Sequence, residues 1–178
     1  MGKTIVITGA SSGIGRATAL HFQARGWNVV ATMRKPEAAT ELASLDRVVV
    51  TRLDVLEDDS ITSARDTALE HFGSVDVLLN NAGYGAYGPL EAFSMDRIRR
   101  QFDTNVIGLL AVVQVVLNGA DHRHFAKAAE VHSGIQRAGG DRLVCAQTFQ
   151  GIGEGFTFGH EAGGQTLQQG MLQCDAGA

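Results

Sequence analysis

An α/β fold with a doubly wound parallel sheet is what this sequence predicts, and three observations predict it. Short runs of β-branched and apolar residues alternate with segments of helical length through the first two-thirds of the chain. These runs are nearly continuous in apolar character, as in strands buried on both faces. The first of them, Thr4 to Thr8, breaks at Gly9, and Gly13 and Gly15 follow at the start of an amphipathic segment. That order is strand, glycine turn, helix.

Each element can be justified in turn. Thr4 to Thr8 is the first strand. Gly13 to Arg25 is the first helix, with Ile14, Ala17, Leu20 and Ala24 on one stripe and Gly26 as its stop. Asn28 to Met33 is the second strand. Pro36 opens a short helix, Glu37 to Leu45. Val48 to Leu53 is the third strand, closed by Asp54 and Val55. Glu57 to Phe72 is a helix whose acidic first turn suits the dipole, stopped by Gly73. Val75 to Asn80 is the fourth strand, ending in Asn80-Asn81-Ala82-Gly83. After a glycine-rich connection, Ser94 is the N-cap of a long helix from Met95 to about Leu117. Alternation of this kind winds right-handedly and places ligands at the carboxyl ends of the strands.

The glycine turn carries the first chemical expectation. Its backbone can turn sharply and lets a ligand approach without a Cβ in the way. Free N–H groups of the following helix face the gap with the positive end of the dipole behind them, which suits a pyrophosphate. The spacing is Gly-x-x-x-Gly-x-Gly, not the Gly-x-Gly-x-x-Gly of the usual dinucleotide fingerprint. The second strand ends without a carboxylate, and Arg34 and Lys35 follow it. Two cations there favour a 2′-phosphate, hence NADP(H) over NAD(H); the alternative is that both are a solvated loop.

Taken as a block, Thr8-Gly9-Ala10-Ser11-Ser12-Gly13-Ile14-Gly15 resembles the cofactor turn of the short-chain dehydrogenase/reductase family. Leu53-Asp54-Val55, Asn80-Asn81-Ala82-Gly83 and Asn105-Val106-Ile107-Gly108 resemble further motifs of that family in the right order. The resemblance runs from Lys3 to about Val116. It implies a Rossmann-type fold and an oxidoreductase that transfers a hydride between NADP(H) and an alcohol or carbonyl substrate. It also implies that Gly9, Ser11, Ser12, Gly13, Ile14, Gly15, Arg34, Asp54, Val55, Asn81, Ala82 and Gly83 line the cofactor cleft. Asp54 and Val55 would border the adenine, although Asp54 also reads as a turn residue. Asn105 corresponds to the catalytic asparagine, which in the family helps hold a water in a proton relay.

Past Leu117 the pattern changes. The family's reaction also needs a serine, a tyrosine and a lysine four residues after it. A phenol near its ordinary pKa is a poor catalyst at neutral pH without a cation beside it. No tyrosine follows Tyr87, and Lys127 is the only lysine after Lys35. Counting from Asn105 places the tyrosine at Cys145 and the lysine at Phe149, with Ser133 near the serine position. Taking Arg142 to Ala146 as the fifth strand puts Thr148 at the serine, His160 at the tyrosine and Gly164 at the lysine. Neither register supplies the set, and no residue of the tail is assigned a catalytic role.

Twelve of the 22 glycines fall after Asn118, while valine and isoleucine shrink to Val131, Ile135, Val144 and Ile152. Residues 1–117 therefore read as the NAD(P)-binding region, and 118–178 as an atypical Gly/Gln-rich tail that leaves the sheet incomplete. The tail is either the product of a lost reading frame or assembly, or a genuine divergent half. His122, His124 and His132 lack an acidic or thiol partner at helical spacing, so no metal site is expected.

The net charge of −4 gives no reason to expect nucleic acid or an anionic membrane as partner. No apolar run is long enough to span a bilayer. The N-terminus enters a strand directly, which predicts no signal peptide. Cys145 and Cys174 read as free thiols of a reducing cytoplasm. A homo-oligomer is the expectation for full-length members of the resembled family.

Overall fold

All five residues of β1, Thr4–Thr8, are buried, and the sheet is laid down around them. A computed structural model describes residues 2–119, 136–138 and 142–145. On one side of β1 lie β2 (Asn28–Met33) and then β3 (Val48–Arg52); on the other lies β4 (Val77–Leu79). All these pairings are parallel, with Ile5 level with Val29 and with Val77. Beyond β4 comes β6 (Arg142–Cys145), also parallel, and outside it β5 (Gln136–Ala138), antiparallel. The full order is β3-β2-β1-β4-β6-β5. Arg142 to Cys145 thus takes the fifth-strand place, the second of the two registers weighed from sequence.

Alternation along the strands divides the core in two. Ile5, Ile7, Val29, Ala31, Val77 and Leu79 pack with Ala19, Phe22 and Leu42, from α1 (Gly13–Ala24) and α2 (Thr40–Ala43). Val6, Val30 and Leu78 pack on the other face with Ile61, Ala64 and Ala68 of α3 (Asp58–Phe72) and Val112 and Val116 of α5 (Leu109–Gly119). Helices cover both faces because both faces are apolar. This is the doubly wound arrangement that the sequence predicts.

Four expectations need correction. The first helix buries Gly15, Ala19 and Phe22, not the stripe through Ala17 and Ala24, both exposed. Gly15 sets that rotation: a Cβ there would collide with the Gly9 carbonyl and the Asn81 amide. The Glu37 to Leu45 helix is two pieces, a 3-10 turn at Pro36–Ala38 and the single turn of α2, broken at Ala39. With only Leu42 buried between them, little packing favours a continuous helix. The fourth strand is Val77–Leu79, shorter than Val75 to Asn80; just ahead of it Asp76 bonds to Thr4 twice, donating its backbone N–H to the carbonyl at 2.9 Å and accepting from the N–H through its carboxylate at 2.7 Å.

The long helix is not uniform either. Ser94 does cap it, its hydroxyl accepting from the Arg97 N–H at 3.3 Å. After α4 (Met95–Phe102), however, Asp103–Gly108 winds as a π segment before α5. Gly108 sits against Val55, where an added Cβ would stand 2.7 Å from the Val55 Cγ2 and 2.8 Å from its carbonyl oxygen. The wider turn lets the helix make that approach while keeping Asn105 buried.

Ser133, Thr148, Phe149, His122, His124, His132, His160, Gly164 and Cys174 lie outside the described residues. No described helix is long and apolar enough to cross a membrane.

Candidate functional site

At the carboxyl ends of the parallel strands is a cleft of about 550 Å³. Most of its lining traces to the strand ends. The turn after β1 contributes Gly9, Ser11 and Ser12; the end of β2 contributes Met33 and Arg34. Leu53, Asp54, Val55 and Leu56 come from the turn after β3, and Asn81, Ala82, Gly83 and Tyr84 from the turn after β4. Arg100 and Thr104 complete it from the long helix.

The turn after β1 depends on Thr8. Its buried hydroxyl accepts from the backbone N–H groups of Asn81 and Ala82, both at 3.0 Å. The Asn81 side-chain amide donates to the carbonyls of Thr8, at 3.0 Å, and Gly9, at 3.1 Å. Gly9 has φ +70 and backs onto Ala82, whose Cα would lie 2.9 Å from an added Cβ. No other residue fits both constraints. The two turns are thereby locked edge to edge.

This leaves the mouth of α1 open to a ligand. Ser12 is its N-cap in extended conformation, yet its side chain makes no capping bond, and the first turn has no acidic residue. Backbone N–H groups and the helix dipole therefore face the cleft uncompensated. Gly13 takes φ +54 there. The Oδ1 of Asn81, 8% exposed, has no donor among the described residues although Asn81 lines the cleft. A ligand bearing phosphates and hydroxyl donors fits these groups.

The turn after β3 is held by Ser60. Its hydroxyl accepts from the Asp54 N–H at 2.9 Å and reaches the carbonyls of Asp54 and Glu57, at 3.0 and 2.8 Å. Asp54 accepts from the Leu56 N–H at 3.1 Å through one carboxylate oxygen, an Asx turn within the cleft wall. Just outside, Arg52 and Glu57 pair through two bonds of 2.8 and 2.9 Å. The hydrogen bond from Arg52, ahead of its charge, holds the Glu57 carboxyl below the usual carboxylate range.

Of the residues that the sequence nominated, Gly9, Ser11, Ser12, Arg34, Asp54, Val55, Asn81, Ala82 and Gly83 line this one cleft. Gly13, Ile14 and Gly15 stand behind the wall at the start of α1. Asn105 is buried beside it, bonded to Tyr84. Lys35 is exposed and is not among the lining residues, so Arg34 alone of that cation pair meets the cleft. Sequence reasoning missed Met33, Leu53, Leu56, Tyr84, Arg100 and Thr104. The last two sit four residues apart, with Thr104 next to Asn105, and that helical spacing was the available signal.

A parallel sheet ordered 3-2-1-4, with a glycine turn and a helix mouth at its topological switch point, defines a Rossmann-type doubly wound α/β protein. The family model for short chain dehydrogenases matches residues 3–145, and the chain belongs to that family. The match runs through β6, past Val116. An uncharacterized oxidoreductase of Schizosaccharomyces pombe is 46% identical over 84 residues, 47% of this chain and 36% of that protein. Retinol dehydrogenase 8 of Homo sapiens is 39% identical over 130 residues, 68% of this chain and 41% of that protein. A crystal structure of a short-chain dehydrogenase from Streptomyces avermitilis superposes with a TM-score of 0.62 at 35% identity. It covers 66% of this chain and 44% of that one. The chain thus spans less than half the length of each of these three relatives.

Proposed function

We propose that the cleft binds a nicotinamide dinucleotide, NADP(H) in preference to NAD(H), for hydride transfer to or from an alcohol or carbonyl substrate. The observation that carries this reading is the uncapped mouth of α1 opening into a cleft that Arg34 also lines. The pyrophosphate lies against the N–H groups of the Ser11 to Gly15 turn. Asp54 and Val55 border the purine, and Arg34 pairs with a 2′-phosphate that a carboxylate at the end of β2 would repel. Hydride donation or acceptance is the chemistry the nicotinamide supplies when bound. The names of the relatives support the oxidoreductase class and leave the substrate open. Titration of the protein with NADPH, followed by the fluorescence of the reduced nicotinamide, tests the reading. Failure to saturate at millimolar NADPH overturns it.

A second reading has an observation of its own. The chain contains no Tyr-x-x-x-Lys, and Tyr84 and Tyr87 are its only tyrosines. On this reading residues 1–117 supply the cofactor half of a dehydrogenase site, and 118–178 supply neither the tyrosine nor the lysine of the set in either register. We infer that the chain as given holds the dinucleotide without turning it over.

A further inference from the structure

Three arginines ride on α4, and their surroundings differ. Arg99 pairs with Asp96 at 3.2 Å. The Arg97 guanidinium lies 4.6 Å from the centroid of the Phe93 ring. Arg100 has neither a carboxylate nor an aromatic partner among the described residues, and of the three it alone lines the cleft. Thr104, one turn further on, lines it too and donates its hydroxyl to the Arg100 carbonyl at 2.9 Å.

The position along the cleft follows from Gly108, one turn beyond Thr104 and in contact with Val55. Arg100, Thr104 and Gly108 fall at four-residue spacing along one helical row, which leads to the Val55 end of the cleft lining. That end offers apolar surface in Val55 and Leu56, and Leu56 is 46% exposed. A flat apolar ring settling there leaves one face to be covered. A guanidinium is planar, keeps its charge at all working pH, is weakly hydrated, and stacks on aromatic faces.

We propose that Arg100 packs its guanidinium against the purine of the bound dinucleotide and sets affinity for its adenosine half. The assignment rests on the dinucleotide reading above and adds a contact that is blind to the 2′-phosphate. Arg34 and Arg100 therefore divide the work: Arg34 separates NADPH from NADH, and Arg100 strengthens both equally.

Fluorescence titration of the full chain with NADPH and with NADH tests this in the parent, Arg100→Ala and Arg100→Lys. Expected for Arg100→Ala is a rise in Kd of about two- to fivefold for both cofactors, the factor an exposed guanidinium–ring contact supplies. Arg100→Lys should stay near the alanine value, because an ammonium lacks the plane. The melting temperature without nucleotide should not move, since Arg100 is exposed. Loss confined to NADPH would assign Arg100 to the 2′-phosphate and overturn the purine contact. Full recovery with lysine, or an unchanged Kd in Arg100→Ala, overturns it as well. A parent that binds neither cofactor overturns the dinucleotide reading and this assignment together, whereas tight parent binding with an indifferent Arg100→Ala removes the assignment alone.

Discussion

Asn105 and Tyr84 hold each other through two hydrogen bonds: the Asn105 side-chain amide donates to the Tyr84 carbonyl at 2.7 Å, and its oxygen accepts from the Tyr84 N–H at 3.1 Å. A single side chain thus satisfies both backbone groups of a residue that lines the cleft. The pairing ties the turn after β4 to the π segment of the long helix. Each amide atom keeps room for one further bond, so the tie does not preclude a role in holding water. Asn105→Ala should cost about 1–3 kcal/mol of stability, because two partly buried backbone groups lose their partner. Asn105→Asp should cost more, since a carboxylate oxygen would face the Tyr84 carbonyl. Urea denaturation measures both, and a loss under about 0.5 kcal/mol in Asn105→Ala would show the tie to be dispensable.

The phosphate turn makes a separate prediction. Gly13 stands at the mouth of α1 with φ +54, where an L side chain costs about 1–2 kcal/mol. Gly13→Val should abolish dinucleotide binding while the far-UV circular dichroism stays close to that of the parent. Retained affinity would mean that the mouth of α1 does not hold the phosphates.

On the proposed reading cofactor choice falls to Arg34, since Lys35 does not line the described cleft. Arg34→Asp should weaken NADPH by about tenfold or more, the loss of one charge-assisted pair. NADH should be little affected or bind better, because the new carboxylate can accept from a ribose 2′-hydroxyl. Equal affinity for the two cofactors in parent and variant would remove Arg34 from the assignment.

Acid should release the Arg52–Glu57 pair. The Glu57 carboxyl sits below its ordinary range through the hydrogen bond from Arg52. Its stabilisation is therefore present above the unfolded carboxylate pKa of about 4.3, and is lost as pH falls through the lower folded value. Glu57→Gln should melt below the parent at pH 7 and together with it at strongly acid pH. Both side chains are about half exposed to solvent, so the gap should be small and should close in high salt. A gap that widens in acid would contradict the sign.

Much of the site was legible because it is built from backbone turns, and glycines and Asx residues announce turns. β1 and β2 were readable to the residue, since both are short apolar, β-branched runs set between polar or glycine turn residues. The π segment was not, because hydrophobic periodicity over Met95 to Leu117 registers a helix and not the one wide turn that brings Gly108 to Val55. Arg100 was illegible for a related reason. A charge on an exposed helical face looks the same in sequence whether it meets water or a cleft. Thr8 read as one more β-branched strand residue, yet its hydroxyl joins the two turns.

The last prediction concerns turnover. Hydride transfer at a carbonyl or alcohol needs a proton to move to or from the oxygen, and positioned acid–base groups contribute about a hundredfold to ten-thousandfold in rate. Asn105 cannot supply that proton, because an amide neither gives nor takes one at neutral pH. Tyr84 commits its backbone to Asn105, and no lysine follows four residues after it or after Tyr87. His160 falls near the tyrosine position of the second register, and imidazole is a residue type suited to proton transfer at neutral pH, but no lysine stands near it in sequence. The protein should therefore bind NADPH without oxidising it in the presence of a panel of aldehydes and ketones. Turnover above background that disappears in His160→Ala would overturn this and make the tail a working active site. Turnover that survives that variant would place the proton donor elsewhere in the chain.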